Sequence, residues 1–413
     1  MKRIAFISLI IGFILSGQSC DRFSDNPEPK TMDLTKKSLE LIESDNGFGL
    51  EFFKEVLTGD TSPNIMVSPL SVALALGMTY NGASGTTKDA MKETLKLGGL
   101  SDQEINESYK SIMDQLVRLD PKVILNIANS IWYKLNFPVQ NEFINLNSQY
   151  YYAEVNELDF SLPEAKDIIN GWVDEKTQGL IPEIIDNISP DVVMYLINAI
   201  YFKGVWKYEF DPEKTSERDF YLEDGRNMKV DMMEMEEEVL YTSNDIFQAV
   251  SLPYGDGQFN MFIMLPAAQK TTADIVVELN NDNWDSWISS LQTEQVVVKL
   301  PKFKFDFFRL LNDDLTDMGM GIAFDPDNAD FSGINPERDL YISRVLHKTF
   351  IDVNEEGTEA AAVTAVEISE TSYNPDEPVI RYFIADHPFL FAIRENSSGT
   401  ILFMGRVGQP KYE

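Results

Sequence analysis

Few of the side chains in this chain are of types that do covalent chemistry. Its 413 residues include one cysteine, Cys20, and two histidines, His347 and His387. A Cys/His zinc centre needs more ligands than that, so no metal site is expected, and a disulfide within the chain is impossible. A thiol nucleophile would have to be Cys20, beside an apolar leader where no base is easily presented to it. Gly82-Ala83-Ser84-Gly85 lacks the spacing of a strained nucleophile elbow and reads as a turn. Asp325, Asp327 and Asp330 are out of register for a calcium loop, because Ala329 and Asp330 stand where the third ligand and the glycine belong; they read as a loop of unpaired acids. Gly319 and Gly321 complete no dinucleotide fingerprint, and neither an HExxH nor a Walker sequence is present. Ordinary enzyme catalysis and a cofactor are both unexpected.

The unusual chemistry lies in a segment with almost no functional groups. From Glu355, Glu356, Gly357, Thr358, Glu359, Ala360, Ala361 and Ala362 the chain runs through Val363 to Ile368 and into the polar stretch Ser369 to Pro378. Alternate residues from Thr358 are Thr, Ala, Ala, Thr, Val and Ile, all uncharged, while Glu359 and Glu367 fall on the other face. One face therefore suits burial in a sheet. The small side chains would let the segment slide between two strands, and Gly357 supplies the backbone freedom of a hinge.

The surrounding elements must hold such a segment and let it move. Helical spacing covers Leu34 to Leu57, interrupted around Asn46 and Gly47, and a buried helix follows Ser68-Pro69-Leu70-Ser71 and stops at Asn81-Gly82. Another helix is expected to start at Thr86, three residues before Asp89. A helix around Trp172 ends in the turn from Gly179 to Pro182. Strands are expected at Ile124 to Trp132, around Phe303, Phe305 and Phe307, at Phe389 to Ile393 and at Ile401 to Val407. Met194 to Trp206 is strongly apolar, with Asn198 its only strongly polar residue before Lys203. Asp231, Glu234 and Glu236 to Glu238 read as a solvated hairpin, with a cation or basic-partner site as the alternative. Helices and strands mix without βαβ alternation, which places the chain in the α+β class.

From about Leu34 to Pro410 the sequence resembles the serpin family. The resemblance is carried, in order, by Asn64 to Ser71, Ile169 to Val173 with Thr177-Gln178-Gly179, Asn198 to Trp206, His347-Lys348, Glu355 to Ala362, Asp386-His387-Pro388-Phe389 and Phe403 to Val407. It implies a serpin fold of three β-sheets and eight or nine helices with an exposed reactive-centre loop. It also implies suicide inhibition: a serine or cysteine protease cleaves the loop as an acyl-enzyme, and the loop inserts into the large sheet and drags the protease with it. Ser68, Ser71, Asn198 and His347 match the family's shutter, where strands must part, and Trp206 matches the place where insertion begins. These residues also fit the description of hydrogen-bonded core groups. His387 is expected to be structural. The reactive bond falls between Thr371 and Ser372, with cleavage after Glu370 or Tyr373 as alternatives. Elastase-like, chymotrypsin-like and subtilisin-like serine proteases are the expected partners. A non-inhibitory binding or carrier serpin is the second reading, and a surface adhesin using the fold is the third.

Lys2, Arg3 and the apolar run from Ile4 to Leu15 form an export signal too short for a membrane span. Residues 1–19 read as a signal peptide, Cys20 as the lipidation site of a bacterial lipoprotein, 20–33 as a tether, and 34–413 as one domain. The protein is thus expected at the outer membrane or outside the cell, held to membrane only by lipid, and monomeric. With 34 basic and 67 acidic residues the formal charge is −33, which disfavours nucleic acid. Ser101 to Lys122 carries only Lys110, Arg118 and Lys122 as basic residues, so no heparin-type cofactor is expected.

Overall fold

The computed structural model of the chain describes residues 30–337, 340–358 and 380–412. The signal peptide, Cys20, Glu359 to Ala362 of the hinge and the candidate reactive residues Glu370, Thr371, Ser372 and Tyr373 lie outside the described residues.

The large sheet has the spatial order β10 (Phe303–Leu310), β11 (Leu346–Asn354), β12 (Gly357–Thr358), β4 (Met194–Val205), β2 (Val123–Lys134) and β3 (Glu154–Leu158). A second network runs β1 (Asn64–Val67), β15 (Ile401–Val407), β14 (Phe389–Glu395), β8 (Phe259–Pro266), β7 (Phe247–Tyr254), β6 (Asn227–Ser243), β9 (Gln292–Pro301) and β13 (Arg381–Ile384), with β5 (Ser216–Tyr221) on β6. Two of the three expected sheets are joined through the 17-residue β6, which pairs β5 in its first part and β7 at its far end. The consecutive buried residues Met232 and Met233 mark where its inward face changes side.

Nine α-helices stand among the described residues: α1 (Lys36–Gly59), α2 (Pro69–Tyr80), α3 (Gly85–Thr94), α4 (Asp102–Leu116), α5 (Asn141–Tyr150), α6 (Ala165–Lys176), α7 (Thr272–Val277), α8 (Asn281–Ser289) and α9 (Asn312–Leu315). Helix α2 is buried nearly all round and packs against both β4 and β15. Ser68 caps it by accepting from Ser71 N–H, and Pro69 occupies its first turn, where a missing N–H costs nothing. Strand β4 is covered on both faces. Leu196, Ile200 and Phe202 face the main core, while Tyr195, Ile197 and Ala199 pack with Ile169, Trp172 and Val173 of α6. That double burial explains why its sequence is so poor in polar residues.

Two local expectations are corrected, and of the one or two helices left open between Leu34 and Leu57 the structure has one. Helix α1 is unbroken at Asn46 and Gly47: the Asn46 amide donates to Gly399 O and accepts from Ile401 N–H, and Gly49 lets the helix approach Pro69, where a Cβ would lie 2.5 Å from the proline ring. Helix α3 starts after Ser84 instead of Thr86, because Ser84 N–H is tied to Asp330 O and fixes the turn two residues earlier. Of the acids after Phe324, Asp325 and Asp330 are not unpaired, the latter accepting from Ser332 N–H. The Asp325 carboxylate accepts from Asp327 N–H and the Asn328 amide, which makes the segment a self-capped turn.

Candidate functional site

Ser68, Ser71, Asn198 and His347 come together beneath the large sheet, where β11 and β4 face each other over α2. Ser68 N–H donates to His347 Nε2 (3.0 Å), and Ser68 Oγ donates to Leu402 O (2.7 Å). Because Nε2 accepts, the imidazole proton is on Nδ1. His347 is buried, and desolvation pushes its pKa down to about 4, so the ring is neutral. From β4, Asn198 donates its amide to Asn129 Oδ1 (2.8 Å), and Asn129 donates to Tyr151 O (2.7 Å). The other side of the Asn198 amide, Oδ1, is buried and has no partner among the described residues. Buried acceptors normally find a donor, so this atom is free to accept one further hydrogen bond.

Strands β4 and β11 form no ladder with each other among the described residues. At one end the two-residue β12 lies between them, with Gly357 and Thr358 paired to Val205 and Gly204 on β4 and to Asn354 and Val353 on β11. Farther along, a cavity of about 150 Å³ opens between the strands, lined by Leu196, Asn198, Ile200, His347 and Ser68 among others. A smaller space of about 20 Å³, beside Ile200 and Phe350, lies against Thr358. Gly357 and Thr358 thus sit at the head of a lane between two strand edges that are unpaired among the described residues.

Several contacts hold that start. A Cβ on Gly357 would lie 2.1 Å from Gly204 O and 2.7 Å from Val205 Cα, so only glycine fits between the strands here. Thr358 is buried, and its hydroxyl shares a 2.7 Å hydrogen bond with Tyr254 Oη. Trp206 stacks on Tyr254 with ring centroids 4.3 Å apart and donates its indole N–H to Asn354 O (3.0 Å). Trp206 N–H and Phe210 N–H donate to Glu356 O and Glu355 O. The Glu355 carboxylate is gripped by Lys302 (2.9 Å) and the Thr215 hydroxyl (2.9 Å). Burial pushes Glu355 up, but these bonds outweigh it and leave its pKa below the usual value. Glu356 is raised, first by burial and then by Glu209 and Glu355.

His387 lies elsewhere, in the turn leading into β14. Its Nδ1 is 2.8 Å from Asp386 Oδ1 and its Nε2 is 3.1 Å from Pro266 O. With an acceptor at each ring nitrogen the imidazolium is favoured, and the Asp386 hydrogen bond raises its pKa. The resemblance singles out Ser68, Ser71, Asn198, His347, Trp206 and Glu355 to Ala362, of which Glu359 to Ala362 lie outside the described residues; it does not point to Tyr254, Thr215 or Lys302, which the structure places against Thr358 and Glu355. Tyr254 is 104 residues from Thr358 in sequence, and only the pairing of β4 with β12 brings it there. A Pro253-Tyr254-Gly255 strand end carries no local sign of such a role.

The family described as Serpin (serine protease inhibitor) matches residues 43–410. Serpin B10 of Otolemur garnettii is 33% identical over 398 residues, covering 90% of this chain and 99% of the relative. A serpin-like protein of Thermococcus kodakarensis is 36% identical over 396 residues, covering 95% of this chain and 91% of its own. Among solved structures, the thermophilic serpin tengpin in its native state superposes with a TM-score of 0.83 at 33% identity, over 92% of this chain and 96% of that one. Thyroxine-binding globulin in complex with thyroxine gives 0.80 at 26% identity, over 90% and 100%. A two-residue strand heading a lane between β4 and β11, the Ser68–His347 bond beneath it and a family match across nearly the whole folded chain lead to one assignment: this protein belongs to the serpin family.

Proposed function

We propose that this chain is a suicide-substrate inhibitor of serine proteases, with cysteine proteases as further targets, that is exported and either held at a bacterial outer membrane through a lipid on Cys20 or released outside the cell. The protease serine attacks the carbonyl of Thr371, the Thr371–Ser372 peptide bond breaks, and Ser372 takes up the proton as a new N-terminal amine while Thr371 stays esterified to the enzyme; the fragment beginning at Ser372 stays held in the fold by β13, β14 and β15 and comes away only on denaturation. Glu370 and Tyr373 are the alternative bait residues. The freed strand then extends β12 along the lane, and the attached enzyme is carried with it.

The observation that supports this most directly is the position of β12, a first pair already seated between strands that do not pair with each other. Each residue added gains ladder hydrogen bonds worth about 1 kcal/mol, and the inserting face offers no charge to bury. The fold is thus held by a barrier short of its lowest free energy. Thyroxine-binding globulin shows that a relative can bind a small molecule, so a carrier role is the second reading; the small, uncharged face from Thr358 to Ala362 favours inhibition.

The test mixes protein beginning at Asp21 with elastase-like, chymotrypsin-like, trypsin-like and subtilisin-like proteases. A complex that survives SDS, with a released peptide starting at Ser372, is expected. Clean cleavage with every enzyme still active would refute the inhibitory reading for these classes.

A further inference from the structure

Strand β15 serves two regions at once. Phe403 lines the lane, while Arg406, three residues on and on the opposite face of the strand, lines a separate cavity of about 490 Å³. That cavity lies between the last turn of α1, helix α7 and the turn joining β5 to β6. Leu57, Ala273, Val276 and Val277 give it apolar walls, and Val277 is 72% exposed at its mouth.

Most of the polar side chains in the wall are already engaged. Thr58 donates to Lys54 O (2.9 Å), the Thr271 hydroxyl donates to Asp274 (2.9 Å), and Thr272 donates to the exposed Glu223 (3.3 Å). Arg406 is the exception. Its Nη2 donates to the neutral Ser62 O (2.7 Å), its Nε is buried without an acceptor, and no carboxylate pairs with the guanidinium among the described residues. The cavity therefore has apolar sides and an unbalanced positive charge in its wall.

A partly buried charge without a counter-ion is costly. A carboxylate seated on the guanidinium would remove that cost, and an attached hydrocarbon would cover Leu57, Val276 and Val277. The volume falls within the roughly 300–1,000 Å³ of small-molecule sites. The formal charge of −33 opposes an anion from a distance, but at physiological salt such repulsion is screened beyond about 8 Å. Glu223 is the one acid in the wall among the described residues, and it faces solvent.

We propose that this cavity binds an amphipathic monocarboxylate, with the carboxylate on Arg406 and the hydrocarbon along α7 and the end of α1. Neither loop cleavage nor insertion enters into it, because the cavity and the lane lie on opposite faces of β15.

Titration calorimetry with octanoate on the uncleaved protein, with no protease present, tests the site apart from the inhibitory reading. Octanoate should bind about tenfold more tightly than 1-octanol or octylammonium, the difference expected of one charge-assisted contact. Arg406→Gln should lose about that factor for octanoate and leave octanol unchanged. Val277→Glu changes an exposed side chain, so it keeps the test intact if Arg406→Gln does not fold; it should weaken octanoate by a similar factor. Glu223→Gln should strengthen octanoate about twofold by removing the one repelling charge. Equal affinity for octanoate and octanol, no saturable octanoate binding below its micelle concentration, or unaltered binding in Val277→Glu overturns the site. Tighter binding of octylammonium, with that preference lost in Glu223→Gln, overturns it as well.

Discussion

The hydroxyls of Tyr254 and Thr358 share a 2.7 Å hydrogen bond in a fully buried setting, so the first inward residue of the hinge is tied to the end of β7 on the other sheet. Trp206, stacked on the same tyrosine, is held independently by Asn354 O. Tyr254→Phe keeps the stack and leaves the Thr358 hydroxyl without its partner. The expected cost is about 1–3 kcal/mol, read as a lower denaturant midpoint for the uncleaved protein with an unchanged slope.

Thr358→Arg tests the same position from the loop side. A buried arginine beside Tyr254 without a counter-ion is strongly disfavoured. The variant should be cleaved at the wild-type bond and release the protease active, with the SDS-stable band lost. A complex yield like that of wild type would mean that insertion does not pass through Thr358.

Continuing the pairs Thr358–Gly204 and Thr358–Val353 by six residues in each strand brings Thr364 opposite Asn198 on one side and His347 on the other. Its side chain would share the inward face with Thr358, and its hydroxyl could donate to the unpartnered Asn198 Oδ1. Thr364→Val should therefore lower the stability of the cleaved form by about 1 kcal/mol and leave the uncleaved form unchanged. Equal effects on both forms would refute this register.

The two histidines act on stability with opposite signs. For His347 the folded pKa is about 4 against 6.5 for the unfolded chain, so its contribution is complete above pH 6.5 and is lost as pH falls towards 4, on the order of 3 kcal/mol. His347→Gln should flatten the loss of stability across that window. A wild-type midpoint constant between pH 6.5 and 4 would contradict the buried neutral ring.

For His387 the folded pKa lies above 6.5, so its contribution is complete below pH 6.5 and fades as pH rises through the raised value. With two histidines in the chain, their imidazole NMR signals are easily distinguished. One should titrate well below pH 6.5 and the other above it, and Asp386→Asn should bring the second back down.

Ser68-Pro69 is a local capping signal and the alternation from Thr358 shows which face can be buried, and both are legible for physical reasons; the grouping of Ser68, Ser71, Asn198 and His347 is implied only by the family resemblance. What the sequence hid was produced by distant packing. Gly47 and Gly49 look like helix breakers, but Gly49 is there for close approach to Pro69. The fusion of two sheets through β6 depends on which strand meets each part of it, and the acids of that strand conceal the change of face at Met232 and Met233. Tyr254 and Lys302 have no pattern of their own; they matter because the chain folds them against Thr358 and Glu355.

The grip on Glu355 has a mechanical meaning. Lys302 is the single residue between β9 of one sheet and β10 of the other, so its ion pair fastens the hinge to the joint where the two sheets meet. A rope fixed at one end transmits all its travel to the other. If the loop inserts as proposed, with Glu355 as the fixed end, each residue entering the lane would move the far end of the loop by about 3.3 Å, and Thr371, thirteen residues beyond Thr358, would be hauled roughly 40 Å past the joint. Had the near end been free to slip, the same insertion free energy would be dissipated in slack, and the attached enzyme would feel little tension.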